Sequence, residues 1–429
     1  MKRTLHIITL IVSGEMIFGL PFHTARFFRP TLLDAFGFTN TQLGDLFAVY
    51  GVTAMLAYFP GGALADRFSA RGLLTTSLVS TAIGGVYMAS YPNAVQMAIL
   101  YGYWGVTTIF LFWGALIRAT RDWGGDTSQG IAFGILDGGR GLAAAVFAAF
   151  TVTVLAGYLP ADATLSTDEE RRAGFRTVIL LYSAVTLGAA VLVWFFVPRP
   201  VQAVATRRNP LAGMAIVLRR PIIWAQAAVI ICAYCGYKGL DNYSLYAVQV
   251  LGMDEVEGAR LATAGAYIRP IAAVAAGLIA DRFDAARTLR WSFAILMLAY
   301  SGLAFALPET TGLIVIYVNL FISFFAVYAL RGVYFALLGQ TRTPKNITGA
   351  AVGMVSFIGY TPEIFFAPIA GRILDASPGA PGHLDYFRFL AIIAGIGIIV
   401  VSWLIWLNRA GNQGAWTPPS PVSENNPPK

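Results

Sequence analysis

The sequence predicts an all-α integral membrane protein of twelve transmembrane helices in two pseudo-symmetric six-helix halves. Three observations carry this. Of the 429 residues 57% are hydrophobic and only 12% charged, with a mean hydropathy of +0.65. A soluble protein is roughly 45–50% apolar and about 25% charged, so too few charges exist to clothe a soluble surface, and a soluble globular enzyme is excluded. Apolar runs long enough to cross a bilayer, about 20 residues each, recur along the whole chain. Basic residues fall in alternate connections between those runs.

Apolar runs and their punctuation place the spans near 5–33, 42–65, 72–90, 95–118, 129–158, 176–197, 221–250, 259–280, 289–307, 312–338, 347–374 and 387–408. The first follows Met1-Lys2-Arg3 and mimics a signal peptide, but its apolar region is long and lacks a small-residue cleavage site, so it reads as a retained helix. Cys232 and Cys235 lie inside the apolar seventh run with no His nearby, the setting of small residues on a membrane helix rather than of a redox or metal site. The domains are therefore a first half over 1–197, a basic Pro-containing linker over 198–220, a second half over 221–408 and a polar, Pro-rich, disordered tail over 409–429.

Orientation follows from charge. Eighteen Lys and Arg fall on one side: Lys2, Arg3, Arg67, Arg71, Arg118, Arg121, Arg199, Arg207, Arg208, Arg219, Arg220, Arg282, Arg287, Arg290, Arg342, Lys345, Arg409 and Lys429. The loops of the other side hold Arg171 and Arg172 beside Asp168, Glu169 and Glu170. Both termini and the linker are thus expected in the cytoplasm of an inner-membrane protein. The same rule explains the net charge of +8 without nucleic acid as a partner; the bilayer is the partner.

The two halves repeat. Gly62-x-x-x-Asp66-Arg67-x-x-x-Arg71 recurs as Gly277-x-x-x-Asp281-Arg282-x-x-x-x-Arg287, an offset of 281 minus 66, or 215 residues. Gly37 lands on Gly252 at the same offset, and Gly134 and Gly138 land on Gly349 and Gly353. Two parallel six-span halves with a substrate site between them, near the midplane, are a transporter design. Loop motif, span count and repeat together make the sequence resemble the major facilitator superfamily over essentially its whole length. Gly37-Phe-Thr-Asn-Thr-Gln-Leu-Gly44, Asp137-Gly-Gly-Arg140-Gly141, Arg331-Gly332-Val-Tyr334 and Gly359-Tyr-Thr-Pro362-Glu363 further resemble the bacterial organophosphate and sugar-acid porters. The resemblance implies alternating access by a functional monomer. It also implies that Asp66, Arg67, Arg71 and Arg118, with Asp281, Arg282 and Arg287, latch the cytoplasmic side. The extra residue before Arg287 departs from the pattern, and the bland alternative is that these arginines only fix topology.

A charge at mid-bilayer costs about 2.5–3.5 kcal/mol on insertion scales, so each needs a reason. Inside the spans lie Glu15, His23, Arg26, Arg29, Asp137, Arg140, Lys238, Asp241, Arg269, Arg331 and Glu363. Cations outnumber carboxylates, which points to a cavity that expects an anion. Adding 215 carries His23 onto Lys238 and Arg26 onto Asp241, and each pair, spaced i,i+3, shares a helix face. In the resembled porters basic residues on these two helices bind the anion. Arg26 and Lys238, assisted by His23, are accordingly the expected clamp, and ion pairs of Lys238 with Asp241, or of Arg26 with a carboxylate, are the structural alternative. Arg29, before Pro30, reads as interfacial. Arg140, Arg269 and Arg331 can line the cavity or solvate a helix carbonyl, and Asn242 can hydrogen-bond a hydroxylated substrate. Glu15, Asp137, Asp241 and Glu363 are the carboxyls available for proton coupling.

The functional expectation is a secondary transporter of a small organic anion, by proton symport or anion exchange. The competing reading is a drug or metabolite exporter of the same fold, which favours an apolar cavity with an acidic residue. An enzyme is not expected. No Gly-x4-Gly-Lys-Ser/Thr phosphate loop occurs, and His6, His23 and His383 are too dispersed for a metal site, so neither cofactor nor metal is expected.

Overall fold

The computed structural model describes residues 2–125, 128–160, 165–198, 218–337 and 348–413. The tail beyond Gln413 and linker residues 199–217 lie outside these, as do Arg342 and Lys345. The described residues are mostly helical, with no strand among them.

Helical passages follow the expected order. In the first half, α1 runs from Lys2 to Phe27, α2 is Asn40–Arg67, α3 is Ala70–Met88 and α4 is Ala94–Gly124, followed by α5, Gln129–Ala156, and α6, Asp168–Phe196. In the second half, α7 is Pro221–Gln249, α8 Glu255–Phe283, α9 Ala285–Leu303 and α10 Leu313–Val333. Then come α11, built of Thr348–Gly359 and Pro362–Ala376, and α12, Ala380–Gln413. Seven of these are long and apolar enough to cross a bilayer, and the bent α1 and α2 bring the number to nine. Large apolar side chains such as Val95, Leu298 and Ile399 are exposed on the outside of the bundle, where lipid replaces water as solvent.

Two ends differ from the sequence expectation. α6 begins at Asp168 rather than near 176, because Thr167 and Glu170 form a capping box and Asp168, Glu169 and Glu170 sit in the positive first turn. α12 runs on past Arg409 to Gln413, into the stretch expected to be tail.

The 215-residue repeat is visible in the caps. Gly37 and Gly252 both adopt positive φ, +67° and +69°, a conformation glycine takes without Cβ strain. Thr39–Gln42 and Asp254–Glu257 both form capping boxes, at the starts of α2 and α8. Ser69 and Asp284 both cap the next helices, α3 and α9.

α1 and α7 are irregular halfway along. α1 bends by 42° where a π-type turn, Gly19–His23, holds Pro21, whose nitrogen has no proton to give. It breaks again at Phe28 before a short helix, Arg29–Phe36. α7 passes through a tight turn at Leu240–Asn242. These breaks place His23, Arg26, Lys238 and Asp241 together between the halves.

Among the described residues the halves pack tightly at one end and part toward the other. Call the end with Lys2 and the Asp66–Arg71 and Asp281–Arg287 loops the basic face. At the opposite face α2 crosses α11 at backbone contact: a Cβ on Gly44 would stand 2.4 Å from the Ala367 carbonyl oxygen, and one on Gly371 2.4 Å from that of Asn40. Asp375 accepts the backbone N–H groups of Asn40 (3.2 Å) and Thr41 (2.7 Å), capping α2 from the other half. Arg372 donates to both Asp45 oxygens, and Glu255 accepts from Thr31 (2.5 Å) and Arg171 (2.6 Å). Toward the basic face the halves part. Asp66, Arg67, Asp281, Arg282 and Arg287 are exposed, and a Cβ on Gly62, Gly138, Gly277 or Gly353 would meet nothing within 4 Å.

Candidate functional site

The parting of the halves leaves a central cavity of about 890 Å³, counted with the solvent space at its mouth. Seven residues singled out from the sequence line it: Glu15, His23, Arg26, Arg140, Lys238, Arg331 and Glu363. Asp241, Asn242 and Arg269 are buried and do not line it, and Asp137, with its side chain 43% exposed, also lies outside the lining.

Ion pairs across the halves organise the charges. Arg26 Nε donates to Asp241 Oδ1 at 2.5 Å, and its Nη1 to the Tyr237 hydroxyl at 2.8 Å. Positions 26 and 241 are the same position of the two repeats. Equivalent residues that touch one another lie on the pseudo-two-fold axis. Lys238 Nζ lies 3.2 Å from Asp241 Oδ2 and 3.3 Å from Glu363 Oε2, and over the Phe22 ring at 4.4 Å. Tyr234 donates a short hydrogen bond to Glu363. On the other flank Glu15 collects Arg140 (2.9 Å), His23 Nε2 (3.3 Å) and Arg269 (3.5 Å), and Arg269 also reaches Asp137 at 2.7 Å.

The clamp residues thus adopt the ion-pair alternative in this conformation. Arg26 and Lys238 are buried and satisfied by carboxylates. Arg331 differs. It lines the cavity with its guanidinium 4.1 Å over the Tyr237 ring, and no carboxylate of the described residues lies within ion-pair distance. The Arg26 guanidinium stands 4.2 Å from the same ring centroid, so Tyr237 contacts both cations. A cation over an aromatic face is held by the ring quadrupole while its N–H edge stays available. His23 Nδ1 has no hydrogen-bond partner among the described residues.

Other expectations land elsewhere. Asn242 is buried behind the cavity and donates to the Tyr386 hydroxyl. Arg29 is not interfacial. It is 2% exposed and donates to Asn40, because the break at Phe28 turns its helix inward toward α2. Near the repeated loop motif Arg71 donates to the Val197 carbonyl and Arg118 to the Ala65 carbonyl, each at the negative end of a helix. Asp66 and Asp281 are exposed and make no ion pair among the described residues. Cys232 and Cys235 are free and buried. No cluster of metal-ligating side chains occurs among the described residues.

Sequence reasoning missed the aromatic wall. Phe18, Phe22, Tyr50, Tyr58, Trp113, Tyr234, Tyr237 and Tyr360 line the cavity, and Tyr237 connects Arg26 and Arg331. Aromatic residues abound in every span, so only their convergence marks them.

Comparisons with known proteins fit this architecture. The chain is 28% identical over 416 residues to the inner membrane protein YqcE of Escherichia coli (strain K12), covering 93% of each chain. It is 26% identical over 404 residues to the probable nitrate/nitrite antiporter NarK1 of Thermus thermophilus, covering 89% of this chain and 86% of that one. Its fold superposes with a TM-score of 0.72 on the inward-facing, unoccupied structure of a bacterial homologue of the human lysosomal transporter Spinster. That match has 14% identity and covers 97% of this chain and 99% of the other. The Major Facilitator Superfamily profile matches residues 11–367, and with two repeated six-helix halves around a central cavity the chain belongs to that superfamily of membrane transporters, not to an enzyme family.

Proposed function

We propose that the chain is a secondary transporter of a small organic anion, working by alternating access in the inner membrane with both termini and the linker in the cytoplasm. The observation that carries this is Arg331, a guanidinium facing the cavity with no carboxylate partner among the described residues. Each cavity carboxylate, by contrast, already faces a cation. A lipophilic cation would need one of them free, which weighs against the drug-exporter reading. The likeness to NarK1, a probable nitrate/nitrite antiporter, supports anion transport.

In this reading the substrate anion docks on Arg331, next to Arg140 and His23. Arg26 and Lys238, which the sequence offers as the clamp, flank the site and set its field through their own pairs. Glu363 is the coupling carboxyl: it lines the cavity, it follows the break before Pro362, and protonation would release Lys238. Glu15 and Asp137 are held by two and one arginines. The interlocked Asp375, Asp45 and Glu255 contacts close the outer face in the state seen here, and the Asp66 and Asp281 motifs close the inner face in the other state.

A thermal-shift screen of detergent-purified protein tests the proposal, with sugar acids, organophosphates, sulfonates and lipophilic cations as ligands. A ligand at 100 times its Kd adds about 2.7 kcal/mol, which is readily seen. Stabilisation by organic anions, lost in Arg331→Gln, is expected. Stabilisation by lipophilic cations alone would overturn it in favour of the exporter.

A further inference from the structure

We infer that the start of α6 binds the headgroup of a zwitterionic phospholipid with a primary amine, its phosphate on Arg172 and Arg176 and its ammonium on Glu169. The site lies at the face opposite the basic one, on the surface of the bundle and away from the cavity.

Arg172 and Arg176 are exposed and spaced i,i+4, so both stand on one side of α6. Each is anchored by its Nε. Arg172 donates to the Ala35 carbonyl, in the last turn of the helix Arg29–Phe36, and Arg176 to the Ala89 carbonyl, at the end of α3, both at 3.0 Å. Carbonyls at a helix C-terminus lack a partner within the helix and sit at its negative pole, so they hold a guanidinium in place. Tyr91 supplies a common platform: its ring centroid lies 5.7 Å from the Arg172 guanidinium and 5.5 Å from that of Arg176. That ring is braced by Phe36 at 4.9 Å, and its hydroxyl donates to the Arg172 carbonyl at 2.5 Å. Tyr91 holds φ at +56°, a left-handed conformation uncommon for a tyrosine, which the surrounding contacts maintain.

This anchoring separates charges that would otherwise neutralise one another. Asp168 and Glu169, one turn earlier on the same helix, are at the spacing from which a carboxylate pairs with Arg172. Yet neither Arg172 nor Arg176 makes an ion pair among the described residues. Asp168 pairs instead with Arg171 at 3.1 Å, and Glu169 pairs with no side chain among the described residues. The result is a groove lined by Asp168, Glu169, Arg172, Ala173 and Arg176, with guanidinium groups one helical turn from carboxylates.

Depth orders these charges as a phospholipid orders its own. At 1.5 Å per residue the 29 residues of α6 span about 44 Å, against a hydrocarbon core of about 30 Å, so its first turns stand among headgroups. Leu180 and Leu187 follow Arg176 on its own face and are exposed, and the end of α3 at Ala89 exposes Val86 and Ile83. Acyl chains lie against these four. The phosphate then meets Arg172 and Arg176 in charge-assisted hydrogen bonds, and the amine, two carbons beyond the phosphate ester, reaches carboxylates about 6 Å further out. Two guanidinium groups alone suit any phosphate. The carboxylates beyond them disfavour an anionic headgroup, and they accept hydrogen bonds that a primary ammonium donates and a quaternary one lacks.

Native mass spectrometry of delipidated protein tests the site, with dioleoyl phosphatidylethanolamine, phosphatidylglycerol and phosphatidylcholine as probes. The ethanolamine lipid should bind about tenfold more tightly than the other two, and Arg172→Gln combined with Arg176→Gln should remove about that factor. Glu169→Gln changes an exposed side chain and should keep the fold while abolishing the preference over phosphatidylglycerol, so the test stands even where the arginine variant misfolds. Glycerophosphoethanolamine, the same headgroup without chains, should not displace the lipid. Unchanged binding in the double arginine variant, or a parental preference in Glu169→Gln, would overturn the site. Equal binding of the glycerol and ethanolamine lipids by the parent would overturn the amine assignment, and displacement by the chainless headgroup would overturn the lipid in favour of a soluble solute.

Discussion

Exchanging the charges of Arg26 and Asp241 probes the architecture most directly. Both side chains are buried, at 8% and 4% exposure, and their contact is 2.5 Å. Removing one partner of a buried pair leaves the other charge uncompensated and costs about 3–5 kcal/mol. Arg26→Asp and Asp241→Arg, each alone, should lose at least that, because each also sets like charges face to face. The double exchange behaves differently in this fold. Positions 26 and 241 are related by the 215-residue repeat and touch on its axis, so exchanging them turns the pair about that axis and rebuilds it.

The rebuilt pair is imperfect. Arginine at 241 would lie one helical turn from Lys238, which now faces Asp241 at 3.2 Å, and two unit charges about 4 Å apart interact by roughly 1–4 kcal/mol in media between water and protein surface. The expected order of stability is wild type, then double exchange, then either single variant, with a coupling of at least about 2 kcal/mol in the double-mutant cycle. Thermal unfolding of the four purified proteins in one detergent measures it. A double exchange no more stable than the weaker single variant would refute the placement of this pair on the axis.

Three further outcomes follow from the same geometry. Gly44→Leu or Gly371→Val puts carbon where a carbonyl oxygen lies 2.4 Å away, so a short bifunctional maleimide should cross-link Asp45→Cys to Arg372→Cys in the parent and fail in the variant; unchanged cross-linking would refute the tight closure of that face. Glu363→Gln should abolish proton-driven accumulation while retaining substrate counterflow, and accumulation at the parental rate would remove Glu363 from coupling. Asp66→Ala should reduce transport at least tenfold with membrane expression intact; wild-type uptake would reduce that loop to a topology signal.

Much of the fold was legible in the sequence, because a bilayer leaves a chain few options. A backbone crossing hydrocarbon must satisfy its own hydrogen bonds, so each long apolar run is a helix, and composition alone sets the class. The duplicated Asp66 and Asp281 motifs revealed the two halves, and the repeat made Arg26 and Asp241 equivalent positions, which the fold then pairs. Rarity did the same for the site: an ionisable residue inside an apolar run stands out, and seven of those singled out line one cavity.

What the sequence alone left open was how those charges divide. Whether Arg26, Lys238 or Arg331 meets a carboxylate depends on distances of 2.5–4 Å between helices far apart along the chain, and only packing sets them. The same holds for Tyr237, one tyrosine among nineteen until folding places it between two guanidinium groups. Which face is closed is likewise a tertiary outcome: glycines at 44 and 371 permit the approach, but it is the crossing of α2 and α11 that realises it. Sequence determines what can be buried and where the chain crosses. Tertiary structure decides which charge is left facing the cavity, because pairing is a property of two positions at once.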